Sequence, residues 1–191
     1  MPLIKEGVSV ADPFLHIADG EPLPAEGAII ISLARWQEER GLIEPRRDPL
    51  GGRPLGVRLK AADFVEHIAG DLDRLAVIAL EFPKFNDGRA MSQARLLRER
   101  YGYRGEIRAT GKVTRDLLLF MHRCGFDAFE TGDHVTAEIV RKSLATFSLS
   151  YQPAADGRPS VIELRHRQGR PAPVAAANES AAGQDRCSSQ C

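Results

Sequence analysis

Net charge is the first thing this chain lacks, since 26 Lys and Arg stand against 26 Asp and Glu. A general nucleic-acid or membrane-surface binder normally carries a positive excess, so nucleic acid is not expected as a partner. Cysteine is scarce as well. Cys124, Cys187 and Cys191 are the three, too few for a disulfide framework or for the usual four thiolates of a four-iron cluster. Cysteine scarcity fits a reducing compartment, and a cytoplasmic location is expected. No long apolar run occurs. Met1 to Gly20 mixes acidic and polar residues, which predicts neither a secretory signal nor a membrane anchor.

Several motifs are also missing. There is no Gly-x-Gly-x-x-Gly after a strand, no Gly-x4-Gly-Lys-Ser/Thr, no His-Glu-x-x-His and no nucleophile elbow. The standard dinucleotide, nucleotide, zinc-protease and hydrolase readings therefore have no support. No metal site is expected, and the residues by themselves name no cofactor.

What is present is a regular α/β pattern. Residues 1–26 are rich in Pro and charge, and Glu21-Pro22-Leu23-Pro24 predicts extended backbone. A single α/β domain is expected over 27–165, followed by a disordered tail over 166–191 that is rich in Ala, Gly, Ser and Gln. Ala28 to Leu33 reads as strand or helix, and Glu44 to Gly56, with its Pro and Gly, as a loop. From Gly56 onward short apolar runs alternate with helical periodicity. Strands are predicted at Gly56–Leu59, Ala76–Phe82, Glu106–Ala109 and Asp127–Glu130. Helical stripes lie between them: Phe64, Val65, Ile68, Leu72 and Leu75; then Ser92 to Tyr101; then Leu117, Phe120, Met121 and Cys124, capped by Thr114; and finally Ile139 to Phe147. Val161–Leu164 resembles a further strand. Repeated strand-helix units imply a mainly parallel sheet covered by helices, with a partial β/α barrel as the alternative. Either architecture places a site at the carboxyl ends of the strands.

The loop Phe82 to Arg89 follows the most apolar strand. Lys84 and Arg89 supply cations there, Asp87-Gly88 supplies a tight turn, and Ser92 is expected to cap the next helix. Phe82 to Arg123 holds ten Lys or Arg against four Asp or Glu, so some positive surface follows. Arg108 lies in a strand that a covered sheet would bury, and a buried charge needs a partner. Glu81, Asp116 and Glu130 are the candidates. The expected site gathers Lys84, Arg89, Ser92, Arg108 and Lys112 around a small oxyanion or the phosphate of a cofactor. Asp87 and Asp116 orient the arginines, and Asp87 and Glu130 are the catalytic candidates, Glu130 as general base or as pairing partner. Cys124 reads as a buried structural thiol.

Four stretches taken together, Glu81-Phe82-Pro83-Lys84-Phe85-Asn86-Asp87-Gly88-Arg89, Ser92 to Arg100, Gly105-Glu106-Ile107-Arg108-Ala109 and Arg123-Cys124-Gly125-Phe126-Asp127-Ala128-Phe129, resemble the bacterial family catalogued as domain of unknown function 934. Its members are labelled oxidoreductases of sulfite reduction. The resemblance covers Leu55 to Tyr151 and departs from the family pattern at Ala90-Met91 and Lys112. It implies an oxidoreductase or an accessory protein of assimilatory sulfite reduction, serving sulfate assimilation and cysteine biosynthesis. The redox chemistry would be borrowed, from a bound flavin or a sirohaem-bearing sulfite reductase. Sulfite reductase or another sulfur-assimilation enzyme is the implied partner. The alternative is a non-enzymatic adaptor that docks on such an enzyme through the basic helix Ser92 to Arg104.

Overall fold

The computed structural model describes residues 2–43 and 54–168. The expectations for the Glu44 loop, for the tail and for Cys187 and Cys191 therefore fall largely outside the described residues. In chain order the strands are β1 (Leu3–Lys5), β2 (Val8–Val10), β3 (Phe14–His16), β4 (Ala28–Ser32), β5 (Leu55–Leu59), β6 (Val77–Phe82), β7 (Glu106–Gly111) and β8 (Ala128–Glu130). The helices are α1 (Leu33–Ile43), α2 (Arg89–Arg95), α3 (Leu118–Arg123), α4 (Ala137–Leu144) and α5 (Val161–Gln168). A 3-10 helix runs over Val65–Arg74, and α2 continues as a π-helical turn over Leu96–Arg100.

All eight strands form one sheet in the order β2-β1-β8-β7-β6-β5-β4-β3. From β3 to β8 the pairings are parallel, while β1 runs antiparallel to both β8 and β2. Within residues 1–26, set apart from the domain in the sequence reading, β1, β2 and β3 are strands of this same sheet.

Those strands also dictate its shape. Laid flat, eight strands at the usual spacing would put β2 and β3 about 34 Å apart. Yet β2 and β3 are the two borders, and the step from Val10 to Phe14 spans at most about 14 Å of chain. The sheet therefore curls into a half-barrel, the partial-barrel form of the predicted α/β class. The curl carries Phe14, on one border, across to Arg108 on β7, whose guanidinium carbon lies 5.5 Å from the Phe14 ring centre.

The two faces differ in chemistry. On the convex side Ile29, Ile31, Val57, Leu59, Ile78, Leu80, Phe82, Ile107 and Phe129 join the main apolar core with residues from the helices. The concave side has a small apolar cluster of Ile30, Val77 and Ala79 with Phe14 packed against it. Packing is tight there, for a Cβ added at Gly56 would meet Ile30 Cγ1 at 2.7 Å.

Local structure departs from the sequence reading in several places. Val161–Gln168 is helical and not a strand, because Ser160 accepts from the Glu163 N–H while the Glu163 carboxylate accepts from the Ser160 N–H, a reciprocal helix start. The Thr114 side chain makes no capping bond. In α3 the buried pair is Leu118 and Met121, with Phe120 turned out to solvent at 59% exposure. The helix expected from Ser92 begins three residues earlier, at Arg89.

Candidate functional site

Parallel register decides which side chains share the concave face. Partners across the sheet project to the same side, and successive residues alternate. Pairing sets Arg58 opposite Ala79, Ala79 opposite Arg108, and Arg108 opposite Ala128. Glu81, Glu106, Thr110 and Glu130 fall on that face by alternation, as do Lys5 and His16 by pairing with Ala128 and Ile30. An ordinary barrel interior is filled with branched apolar side chains. This one carries a cluster of charged side chains beside its small apolar patch.

Arg108 stands at the centre with 0% exposure. Its Nε donates to Glu106 Oε1 at 2.8 Å, and its Nη1 donates to Asp12 Oδ2 at 2.7 Å and to Glu130 Oε1 at 2.9 Å. Lys5 pairs with the other oxygen of Glu106, and His16 Nε2 lies 2.9 Å from Glu130 Oε1. Burial raises the Glu130 carboxyl, but the hydrogen bonds from His16 and Arg108 outweigh it and leave the pKa below its ordinary 4.5. Asp12 follows the same balance through Arg108 and the Phe14 N–H. Burial works against the Arg108 charge, and its carboxylate partners more than offset this, so its pKa is raised.

Two donors on this face stand out. Arg58 Nε and Arg108 Nη2 are both buried and have no hydrogen-bond acceptor among the described residues. An unsatisfied buried donor costs about 1–3 kcal/mol, and more when charged.

Asp12, His16 and Glu130 bring three metal-ligand atoms within 4.8 Å of one another. Arg108 already donates to both carboxylates of that set, so a cation would compete with a buried guanidinium. The donor set fits an ion-pair network better than a metal centre.

The residues singled out from sequence separate into groups. Arg108 and Glu130 meet, as the pairing argument expected, while Asp12 and Glu106 take the places given to Glu81 and Asp116. Asp87 and Arg89 form an exposed pair on the loop, with Arg89 Nε and Nη2 donating at 3.0 and 2.7 Å and the Arg89 N–H at 3.2 Å. These bonds from Arg89 hold the Asp87 carboxyl down at about 2. The side chain of Arg89 is 61% exposed, and it shares no partner with the sealed Arg108. Ser92 lies within α2 and lines an outer groove with Arg95, Leu96, Glu99 and Arg100. Lys84 and Lys112 are exposed at neighbouring strand ends, joined through the Lys112 N–H to Phe82 O at 2.8 Å. Asp116 is exposed and makes no hydrogen bond or ion pair among the described residues.

Sequence reasoning missed Lys5, Asp12, His16 and Arg58. The first three come from the proline-rich beginning of the chain, where no periodicity signals a strand. Glu106 had a legible signal, since it sits two residues before Arg108 on the same strand face.

The profile of the family described as "Bacterial protein of unknown function (DUF934)" matches residues 56–162. The chain belongs to this family. Within DUF934 terms, the matched stretch holds β5 to β8, and so Arg58, Arg108, Glu106 and Glu130, whereas Lys5, Asp12 and His16 precede it. A search of curated proteins finds no match.

Proposed function

We propose that the protein serves assimilatory sulfite reduction by holding a small oxyanion in the mouth of the half-barrel, as an accessory protein or as part of an oxidoreductase. The pathway comes from the family resemblance. The single observation behind the ligand is the charged concave face, with Arg58 and Arg108 turned inward where a barrel would otherwise be apolar.

Within this reading Lys84, Arg89 and Lys112 form an outer cationic rim at the strand ends and attract the anion, and Asp87 orients Arg89; Asp116, exposed and without a side-chain partner among the described residues, has no part in it. Glu130 orients His16: if the imidazole donates through Nε2, its Nδ1 is left as the proton acceptor of the site. Because the pKa of Glu130 is lowered, Glu130 itself is a weaker base than an ordinary carboxylate. Electrons for sulfite would come from a partner such as sulfite reductase or another enzyme of sulfur assimilation. The chain contributes binding and orientation.

The adaptor reading has less support. Arg98 of the basic helix donates to the carbonyls of Tyr103, Gly105 and Gly125, and Arg95 pairs with Glu99 at 2.8 Å. Arg98 is therefore tied up within the fold, and Arg95 is paired at the surface.

Growth of a deletion strain on sulfate, sulfite, sulfide and cysteine in turn tests the reading. Rescue by sulfide and cysteine, but not by sulfite or sulfate, is the expected result. Normal growth on sulfate would remove the protein from the pathway.

A further inference from the structure

Two unpaired charges of opposite sign line one cleft at the amino ends of β6 and β7. The cleft holds about 500 Å³ and lies between the 3-10 helix over Val65–Arg74 and the connection from the π-helical turn to β7. This is the end of the sheet opposite Lys84, Arg89 and Lys112. The walls are fixed to each other at the floor, where Tyr103 Oη donates to Leu75 O at 3.0 Å and the Glu106 N–H donates to Ala76 O at 3.0 Å. Small-molecule sites usually measure about 300–1,000 Å³ and are largely preformed, and this cleft meets both conditions. Asp73 stands on the helical wall and Arg104 on the other, the only charged side chains among the described residues that line it. Neither side chain has a hydrogen-bond or ion-pair partner among the described residues, so the two do not pair with each other. The N–H groups of Arg104 and Gly105 likewise have no acceptor among the described residues. Ala69, Leu72 and Tyr101 supply apolar lining. The Tyr101 ring is held by the Arg100 guanidinium, 5.7 Å from its centre, and by its hydroxyl, which donates to Glu66 Oε1 at 3.5 Å.

We infer that this cleft binds a free α-amino acid with an apolar or aromatic side chain. Its carboxylate accepts from the Arg104 guanidinium and from the N–H groups of Arg104 and Gly105, and its ammonium donates to Asp73. Its side chain packs on Ala69, Leu72 and the Tyr101 ring. The zwitterion follows from the charge balance. One cation and one anion without partners leave the cleft neutral, so an ion of either sign would satisfy one wall and face its own sign on the other. A ligand that carries both charges answers the two walls together. The site goes beyond the oxyanion reading and shares none of its residues.

The test is calorimetric titration of the purified full chain with L-phenylalanine and L-leucine, beside phenethylamine and 3-phenylpropionate, which keep the ring and one charge each. Both amino acids are expected to bind saturably. Each single-charge analogue should bind at least about tenfold more weakly than phenylalanine, the loss of one charge-assisted hydrogen bond. Asp73→Asn and Arg104→Gln, both at exposed positions, should each weaken phenylalanine by a similar factor. Ala69→Phe should do so with both charges retained, by filling part of the cleft. In the native chain, where no variant has to fold, phenylalanine should shift the amide NMR signals of Arg104 and Gly105 and leave those of Lys84 and Lys112 in place. Phenethylamine or 3-phenylpropionate binding as tightly as phenylalanine overturns the zwitterion site, as does affinity unchanged in folded Asp73→Asn and Arg104→Gln. Shifts at Lys84 and Lys112 with none at Arg104 put the amino acid on the rim and overturn it too. Absence of saturable binding by either amino acid removes the site and leaves the oxyanion reading standing, since growth of the deletion strain tests that separately.

Discussion

Arg108 Nη1 donates to Asp12 Oδ2 at 2.7 Å across a sequence separation of 96 residues. The bond ties the middle of β7 to the connection between the two borders of the sheet. Replacing Arg108 by Met should leave Asp12, Glu106 and Glu130 crowded without their buried cation, at a cost of about 3–5 kcal/mol near neutral pH.

The pH dependence of that cost has a definite sign. In the native chain the folded pKa values of Asp12 and Glu130 are lowered, so their stabilising contribution is present above the ordinary carboxylate range and lost as pH falls through it. In Arg108→Met burial acts on Asp12 without its main opposing partner and on Glu130 with His16 alone of its two hydrogen-bond donors, and acidification relieves the repulsion. Urea unfolding near pH 7 and again at about pH 4 should therefore show the penalty shrinking in acid. An equal penalty at both would mean that the carboxylates do not depend on Arg108.

Arg89→Ala should leave the melting temperature unchanged, because the pair with Asp87 is exposed and screened. Its signature lies in titration. The Asp87 carboxyl, held at about 2, should move back toward its ordinary 3.8, read by NMR of the side chain.

Gly111 is at φ 86°, and an added Cβ would meet Phe82 O at 2.6 Å, where β6 and β7 end side by side. Gly111→Ala should destabilise by about 1–3 kcal/mol. Gly20→Ala, at the same φ with open space around it, should cost less. Equal losses in denaturant melts would put the whole effect on the backbone angle and none on the Phe82 contact.

Burial raises the Cys124 thiol above its usual pKa, which lowers the fraction present as thiolate. With Cys187→Ser and Cys191→Ser in place, the remaining thiol should react with a disulfide reagent at least about tenfold more slowly in the native chain than in urea. Comparable rates would overturn the structural role given to Cys124.

Much of the fold was legible from Gly56 onward, where apolar runs such as Ala76 to Phe82 alternate with helical stripes. Such runs arise because one strand is covered on both sides. The curl was not legible. It depends on Val8–Val10 and Phe14–His16, strands too short and too exposed to show a period-two pattern. The same gap explains the site. The need of Arg108 for a partner followed from burial, and Glu130 was among the candidates, but Asp12 and His16 reach it only through long-range closure. Arg58 was hidden for another reason: within Gly56-Val57-Arg58-Leu59 its face becomes known only once the sheet order is known.

The short step from Val10 to Phe14 also bears on how the chain is made. The strands that complete the sheet on either border are translated first, yet β1 pairs with Phe129 and Glu130, more than a hundred residues later. At ordinary elongation rates β1 and β2 emerge about ten seconds before their partner exists. Only three residues long each, and with Lys5 ending β1 and Glu6 following it, they make a poor template for other chains during that wait.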